Sequence, residues 1–203
     1  MSQSHPPHVV QGTQQTARAV EILVEAFHDD PTWASAFPDE SARRVQHRWL
    51  WGLFVSGALR YPFVWLTDDE VAVSVWIPPG GTELAPAQEA ELEDGLRERL
   101  GTGADRVLRA FELFDEHHPR DEPHHYLSLL GTDPAHRGRG RGLSLLDDNL
   151  AAVDQIGTPC FLEASNPANV SLYERYGFTV RDRFEPFSEG PVVTTMWREA
   201  AFA

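Results

Sequence analysis

Residues 136–142 read His-Arg-Gly-Arg-Gly-Arg-Gly, three arginines alternating with three glycines and no acid, in a chain of net charge −14. This segment follows a predicted strand and begins a predicted helix. Glycines let a tight loop turn its backbone N–H groups inward, and a helix N-terminus adds a partial positive charge. The combination predicts an anion-binding site suited to phosphates. The alternative is an exposed loop whose glycines only satisfy turn geometry.

Other motifs for phosphate or nucleophile chemistry do not fit this chain. The dinucleotide fingerprint G-x-G-x-x-G would place its last glycine at Leu143. All seventeen basic residues are arginine, which excludes a P-loop lysine, a Schiff base and a Ser–Lys dyad. Cys160 is the only cysteine, so an intramolecular disulfide and a cysteine-rich metal site are excluded. Its apolar surroundings predict an inert core thiol.

Four histidines lie close together in the sequence, at His117, His118, His124 and His125. Such a group could suggest a metal site. No carboxylate–histidine pattern of the HExxH type accompanies it, so no metal is predicted.

The charge and length of the chain limit the classes of function. A globally acidic surface repels nucleic acid and anionic lipid, and it attracts small cations. No apolar run approaches the roughly 18 residues of a membrane span, and residues 1–8 lack the pattern of a signal peptide. A length of 203 residues corresponds to one domain. We therefore expect a cytoplasmic protein that binds neither nucleic acid nor membranes.

The elements before residue 120 are predicted from hydrophobic periodicity and from breaks in it. Residues 1–8 are predicted as a frayed start, and Val9 and Val10 as the opening of a short strand. Apolar spacing predicts a first helix, capped by Thr13 or Thr16 and stopped at 29–31. The remaining predictions are a helix over 39–59, a hairpin of strands 62–67 and 71–77, and two helices within 85–118 separated at 101–103.

The second half of the chain alternates strands and helices. Strands are predicted at 125–132, 159–164, 178–184 and 192–197, with a helix over 140–156 and a short helix over 167–176. This order predicts a mixed sheet with a parallel pair formed by the strands around residues 129 and 162.

Two segments resemble the signatures of the GNAT superfamily of N-acetyltransferases. Residues 137–142 resemble its (Arg/Gln)-x-x-Gly-x-(Gly/Ala) loop, and residues 166–178 resemble its Asn…Leu-Tyr-x-x-x-Gly-Phe segment. Parts of the N-terminal half are similar to puromycin N-acetyltransferase and its relatives. The resemblance implies an α/β (α+β) fold with a mixed, mostly antiparallel sheet, a splayed central parallel strand pair and flanking helices. It also implies one acetyltransferase domain over 1–203, with an acetyl-CoA-binding core at 125–180 and a helical, insertion-like segment at 82–118, where substrate choice could diverge.

The resemblance also implies which residues bind acetyl-CoA. The pyrophosphate would lie on the loop formed by Arg137, Gly138, Arg139, Gly140, Arg141, Gly142 and Leu143. The pantetheine arm would follow the strand edge at Leu130, Gly131 and Thr132. Asn166 and Asn169 would touch that arm or the thioester, and the alternative for each is a helix cap before Pro167.

Catalytic roles follow from the same resemblance. Tyr173 matches the tyrosine that donates a proton to the departing thiolate or positions the sulfur. Glu163 is the best carboxylate for a base, with a purely structural hydrogen-bonding role as the alternative. His125 or Tyr126 could act through water, and ordered water alone could serve. Aromatic residues of the first helices are predicted as core or as acceptor-pocket walls: Trp33, Trp49, Trp51 and Phe54.

These residues together predict an enzyme that transfers the acetyl group of acetyl-CoA to a primary amine of a small molecule. The alternatives are a non-catalytic module that binds acyl-CoA as a sensor, and an N-acetyltransferase of proteins or peptides. The sequence is compatible with either a monomer or a homodimer.

Overall fold

The computed structural model of the protein describes residues 7–201, so the predicted frayed start lies outside it except for residues 7 and 8. The helices are α1 (Gly12–Phe27), α2 (Pro31–Ala36), α3 (Glu40–Ala58), α4 (Pro86–Leu100), α5 (Ala104–His117), α6 (Arg141–Ile156) and α7 (Val170–Glu174). The strands are β1 (His8–Val9), β2 (Val64–Leu66), β3 (Ala72–Ile77), β4 (His125–Thr132), β5 (Cys160–Ala164), β6 (Thr179–Phe184) and β7 (Val193–Arg198). Short 3₁₀ turns lie at Gly101–Gly103, Pro134–His136 and Pro167–Asn169.

The strands form a seven-stranded sheet in the order β1-β2-β3-β4-β5-β7-β6. Neighbouring strands pair antiparallel, except for β4 and β5, which pair in parallel. Helices pack on both faces of this sheet. The predicted fold class, including its central parallel pair, is therefore confirmed.

Two hydrophobic clusters fill the space between the sheet and its helices. The first joins α1, α3 and the helices of the 82–118 segment to β3, around Leu23, Trp51 and Val75. The second packs α6 against the other face of β4 and β5, around Leu146 and Leu162. Cys160 is fully buried in the second cluster, where burial raises the pKa of its thiol to about 12. It is therefore the unreactive thiol that the sequence predicted.

The start of α1 differs from the prediction. The helix begins at Gly12, directly after Gln11, which provides no side-chain cap. Thr16 lies inside the helix, where its hydroxyl donates to the Gly12 carbonyl at 2.8 Å. Neither Thr13 nor Thr16 is the cap, because the helix begins at Gly12, before either residue. By contrast, α3 begins after Asp39, whose carboxylate accepts from the Ser41 amide at 3.0 Å.

Helix α2 was not predicted from the sequence. The segment 29–31 does end α1, but Asp30 also begins the next helix. Its carboxylate accepts from the amides of Thr32 and Trp33 at 3.1 and 3.2 Å, with Pro31 in the first turn. An aspartate before a proline is a favourable start for a helix.

One buried polar contact ties α6 to the sheet. The Asn149 side-chain oxygen accepts from the Ser74 hydroxyl at 2.6 Å and from the Trp76 indole N–H at 3.0 Å. All three side chains are almost fully buried. Because no water reaches these donors, the amide oxygen satisfies both of them.

We expect Asn149→Ala to lower the free energy of unfolding by about 2–4 kcal/mol, because it leaves two buried donors without an acceptor. Urea denaturation measures the change. Asp147→Ala, at an exposed position of the same helix, is the control and should stay within about 0.5 kcal/mol. A loss below about 1 kcal/mol for Asn149→Ala would contradict the role given to this contact.

Candidate active site

The site begins where two parallel strands stop pairing. The register of β4 and β5 runs from His125↔Cys160 to Leu127↔Leu162 and then ends. Beyond that point β4 still pairs with β3, and β5 still pairs with β7. The edge of β4 after Leu127 therefore faces a gap and not a neighbouring strand. Such an edge can take up an extended ligand that carries amide groups.

Two helices hold the gap open. The Thr32 hydroxyl at the start of α2 donates to the Ser165 carbonyl, just after β5, at 2.6 Å. The Ser165 hydroxyl donates to the Asp30 carboxylate at 3.0 Å. On the other side Gly131 of β4 lies against α1 so closely that a Cβ would be 3.0 Å from the Ala26 Cβ. Each strand is thus fixed to its own helix, so the two strands cannot close on each other.

The arginine–glycine loop closes one end of this gap. Gly138 and Gly140 have φ values of 74° and 72°, and a Cβ at either would point into open space. Gly142 approaches β4 so closely that a Cβ would lie 2.4 Å from the Thr132 hydroxyl oxygen. The N–H groups in the first turn of α6, which starts at Arg141, have no acceptor within the helix. This is the geometry of an anion cradle at a helix N-terminus.

Most of the predicted acetyl-CoA-binding residues line one groove beside this loop. They are Leu130, Gly131, Thr132, Arg137, Gly138, Gly140, Arg141, Gly142, Leu143, Asn166 and Asn169, with Tyr173 at the inner end.

The three arginines of the loop differ in their contacts. The Arg137 guanidinium donates to the Ala26 carbonyl at 2.6 Å, which ties the loop to the end of α1. Arg141 forms an ion pair with Asp69 at 2.5 Å. Arg139 is exposed and is not among the residues that line the groove. Backbone N–H groups, with Arg137 and Arg141 beside them, are therefore the main donors that face the groove.

The two asparagines have different positions. The Asn166 side chain accepts from the Ala168 amide at 3.0 Å, so it caps the 3₁₀ turn Pro167–Asn169, the alternative given in the sequence analysis. Asn169 lines both the groove and the cavity behind it.

Tyr173 lies between that groove and the inner cavity, and lines both. Its ring packs edge-to-face on Phe178 at a centroid distance of 6.1 Å. Burial raises the pKa of the Tyr173 phenol to about 12, with a further contribution from the charge of Asp30. The hydroxyl therefore keeps its proton at neutral pH, as a proton donor must. Tyr176 is partly buried and packs against the second hydrophobic cluster.

The register of β4 against β3 shifts between Val75 and Trp76, which face Leu129 and Leu127, so a bulge at Ser128 interrupts the alternation of β4 beside the gap. Tyr126 and Ser128 line the inner cavity, and Leu130 and Thr132 continue into the groove. His125 lies on the opposite face, 2% exposed, with its Nδ1 2.6 Å from the Thr158 hydroxyl. Of the two residues suggested as bases acting through water, only Tyr126 is at the cavity.

Two carboxylates reach the inner cavity from different elements. Glu163 extends from β5, with its side chain 4% exposed and 3.6 Å from His118 Nδ1. Glu83, in the loop between β3 and α4, accepts a hydrogen bond from the Ser128 hydroxyl. Burial raises the pKa of the Glu83 carboxyl to about 7, and the nearby charge of Glu163 contributes. The cavity therefore carries negative charge that a cation would neutralise.

Sequence reasoning did not identify Glu83. Its hydrogen-bond partner Ser128 is 45 positions away, and no spacing motif connects the two. The sequence pointed only to the segment that contains Glu83, residues 82–118, where substrate choice was expected to diverge.

Helices of that segment form the outer wall of the cavity. Phe54 of α3 and Phe111 and Phe114 of α5 supply apolar walls, and Trp33 lines the inner part. Trp51 is fully buried in the core, and Trp49 packs against that core with Arg99 over its ring. Of the four aromatic residues predicted as core or pocket, Trp33 and Phe54 line the pocket.

Within residues 7–201 no helix is long and apolar enough to cross a bilayer. Over the same range no group of three or more His, Cys, Asp or Glu side chains is arranged to hold a metal ion. The four histidines that are neighbours in the sequence lie in three different places in the fold. His117 stacks on Phe184, His125 faces away from the cavity, and His118 and His124 lie together beside Glu163.

Comparison with known proteins supports the class that the fold and site define. Residues 104–180 match the family model described as acetyltransferase (GNAT) domain. An uncharacterized N-acetyltransferase of Schizosaccharomyces pombe is 26% identical over 173 residues, which cover 79% of this chain and 69% of the yeast protein. Residues 104–180 are therefore similar to a GNAT acetyltransferase domain, and the protein is an acetyltransferase.

Solved structures share the fold over nearly the whole chain. A Corynebacterium glutamicum protein, described as histone acetyltransferase HPA2 and related acetyltransferase, superposes with a TM-score of 0.69 at 25% identity. That match covers 98% of this chain and 99% of the other. A polyamine N-acetyltransferase of Drosophila melanogaster, which forms N-acetylagmatine, gives a TM-score of 0.63 at 16% identity, with 95% and 99% covered. At that identity the second match shows the fold alone.

We expect Gly140→Val to weaken acetyl-CoA binding more than tenfold while lowering stability by only about 1–2 kcal/mol. The stability loss comes from a side chain in a left-handed conformation. The loss of affinity comes from a branched side chain in front of the cradle. Isothermal titration calorimetry and urea denaturation measure the two effects.

Gly157→Val is the matched control, because Gly157 ends the same helix with φ 75° and open space around its Cβ position. It should show the same loss of stability and unchanged affinity. Equal losses of affinity in both variants would mean that Gly140 serves the fold and not the ligand.

Proposed function

We propose that this acetyltransferase moves the acetyl group of acetyl-CoA to a primary amine of a small molecule. The observation that carries the proposal is a single gap between β4 and β5. This gap joins a groove suited to phosphates at one end to a cavity with two carboxylates, Glu83 and Glu163, at the other. Such a passage suits an anionic donor and a cationic acceptor entering from opposite sides.

The residues of the groove fit acetyl-CoA. Left-handed glycines at 138 and 140 and the first turn of α6 offer N–H groups to a pyrophosphate. The unpaired edge of β4 offers hydrogen-bonding groups to the amides of the pantetheine arm. When bound, acetyl-CoA supplies an acetyl thioester, whose carbonyl carbon accepts the amine nitrogen. Asn169 and Tyr173, at the inner end of the groove, would orient that group.

The cavity residues prepare the amine. A primary amine arrives mostly as an ammonium ion, which the carboxylates of Glu83 and Glu163 attract. An ammonium ion has no free electron pair, so one of its protons must leave before the nitrogen can attack. Glu163, on the strand that borders the gap, accepts this proton. Glu83 holds the remaining polar end of the acceptor through its charge.

Tyr173 acts on the departing group. Tyr173 lines both the groove and the cavity, and the thioester sulfur would lie beside its protonated hydroxyl. The hydroxyl donates its proton as the carbon–sulfur bond breaks, so that the thiol leaves neutral. Its nearness to Asp30 opposes a lasting negative charge on the phenol, so the proton is replaced before the next turnover.

The shape of the cavity favours a small acceptor over a protein. Its walls at Phe54, Phe111 and Phe114 enclose apolar space, whereas a peptide backbone needs an open edge or groove. The Drosophila structure that shares the fold is described as a polyamine N-acetyltransferase, which supports an amine acceptor. The buried carboxylates favour an enzyme over a non-catalytic sensor. The likeness to puromycin N-acetyltransferases, the homodimer and the cytoplasmic location stay predictions.

A panel of arylalkyl, aliphatic and peptide amines tests the proposal directly. Release of free thiol from acetyl-CoA is followed for each amine at fixed concentration. We expect turnover with small primary amines and none with the N-termini of peptides. Thiol release with peptides alone would show that the acceptor is a peptide and not a small molecule. If none of the amines causes thiol release, the protein is better explained as a sensor.

We expect Tyr173→Phe to slow acetyl transfer by about 10²–10⁴-fold while acetyl-CoA affinity stays nearly unchanged, because the ring packing is kept and only the acid is lost. Single-turnover kinetics measure the chemical step without product release. Tyr176→Phe, at a partly buried position beside the same helix, is the control and should keep the wild-type rate. An unchanged rate in Tyr173→Phe would make Tyr173 a packing residue.

We expect the KM for a strongly basic amine to fall as the pH rises through about 7, where the buried Glu83 carboxyl loses its proton and gains the charge that binds ammonium. Glu83→Gln should raise KM about tenfold at pH 8 and flatten this dependence. Steady-state kinetics between pH 6 and 9 measure both effects. Glu91→Gln, at an exposed position of α4, is the control. A pH-dependent KM that persists in Glu83→Gln would assign the titration to another group.

A further inference from the structure

The hydrogen bonds of His124 fix its protonation. Its Nδ1 lies 2.6 Å from the backbone carbonyl oxygen of Glu122. A carbonyl oxygen only accepts, so Nδ1 carries the proton. Burial lowers the pKa of the His124 imidazole, so the ring is neutral at pH 7. A neutral ring holds one proton, so Nε2 of His124 is a bare acceptor.

That bare acceptor determines which ring nitrogen of His118 donates the hydrogen bond between the two rings. The Nε2 atoms of His118 and His124 are 3.2 Å apart. Because His124 Nε2 is bare, His118 must be the donor through its own Nε2–H. The other ring nitrogen of His118, Nδ1, lies 3.6 Å from a Glu163 carboxylate oxygen. His118 Nδ1 therefore faces the Glu163 carboxylate, and a proton placed between the two atoms would bind to both.

Aromatic packing fixes the orientation of both rings. His118 meets Tyr126 and Phe161 edge-on, at centroid distances of 4.8 and 4.9 Å. His124 packs edge-on against Phe161 and Trp197, at 5.4 Å from each. Neither ring can turn without losing these contacts, so the order of donors and acceptors is built into the fold.

The charged groups around the pair do not supply this proton. Glu122 is paired with Arg181, and Asp115 with Arg120. Arg181 also disfavours a positive charge on His124. The charged and titratable groups that face the two rings from the elements packed around them are Glu83, Asp115, Arg120, Glu122, Tyr126, Glu163 and Arg181. Among them Glu163 is the carboxylate in contact with His118 Nδ1.

We propose that the proton removed from the acceptor amine is shared between Glu163 and His118, and that His124 is the positioning residue that keeps Nδ1 of His118 free to receive it. This inference rests on the proposed function. An N–H bond of the ammonium ion breaks, its electron pair stays on nitrogen, and the proton joins the Glu163 carboxylate. The proton passes to His118 Nδ1, which gives an imidazolium beside a carboxylate. The His118 side chain is 19% exposed and lines the outer cavity, so water takes the proton from it.

The first experiment needs no substrate. Nitrogen-15 NMR of histidine-labelled protein at pH 7.5 distinguishes protonated from bare ring nitrogens. His118→Phe and His124→Phe assign the signals and keep the aromatic packing. We expect a proton on His124 Nδ1 and on His118 Nε2, with His124 Nε2 bare. A proton on His124 Nε2, or a bare His118 Nε2, would overturn the proposed order.

The second experiment asks whether the pair handles a proton during transfer. The probes are 2-phenylethylamine and 2,2-difluoro-2-phenylethylamine, because fluorines beside the amine lower its basicity with little change in shape. We expect His118→Phe to lower kcat/KM for the first amine by about 10²-fold at pH 7. The loss for the fluorinated amine, which is largely neutral already, should be several-fold smaller. For 2-phenylethylamine the loss should shrink as the pH rises and free amine becomes more abundant.

His124→Phe should show the same selective loss in weaker form, and His124→Gln, whose amide oxygen can accept from His118, should recover part of it. His117→Phe is the matched control, because His117 stacks on Phe184 and pairs with Asp182, away from Glu163. Equal losses for the two amines would make the histidines structural and overturn the proposal. If wild-type protein acetylates neither amine, the small-amine function fails, whereas the NMR result still decides the order of the pair.

Discussion

Hydrogen bonding between β4 and β5 ends after Leu127 and Leu162, and the whole site depends on that interruption. Two parallel strands that could continue to pair are instead fixed to different helices, β4 to α1 through Gly131 and β5 to α2 through Ser165. The lost pairing leaves backbone groups that need other partners. An extended ligand with amide groups provides such partners, so the defect in the sheet is also the binding surface.

One strand organises both halves of the site. From the cavity to the groove, β4 supplies Tyr126, Ser128, Leu130 and Thr132, and a bulge at Ser128 reverses the faces on which its side chains lie. Ser128 binds Glu83, and Thr132 contacts the glycine loop at Gly142. A shift of this strand by one residue would move each side chain to the opposite face and remove these polar contacts. The antiparallel register of β4 against β3, with its one bulge at Ser128, therefore fixes the site residues as well as the core.

Local signals in the sequence predicted more of this arrangement than long-range ones. The arginine–glycine loop and Tyr173 lie in short motifs, and the strand–helix–strand order predicted the parallel pair. Helix α2 was missed because an aspartate before a proline can end one helix or begin another, and Asp30 does both. Glu83 was missed because its place depends on a loop folding back onto β4, which no local pattern encodes. The histidine group was resolved only by the structure, since adjacent residues such as His124 and His125 contact different parts of the fold.

The site binds an anionic donor and a cationic acceptor at opposite ends, although the two groups that react are both neutral. The groove end carries helix N–H groups with Arg137 and Arg141, whereas the cavity end carries Glu83 and Glu163. Between them, Leu130, Phe27 and the protonated Tyr173 line both the groove and the cavity. An anionic donor and a cationic acceptor are each bound where their charge is matched, so neither charge has to enter the apolar middle. What meets there is an uncharged thioester and an amine that has given up its proton. The overall acidity of the chain is compatible with phosphate binding because the cradle is local, built mainly from backbone dipoles that the net charge does not change.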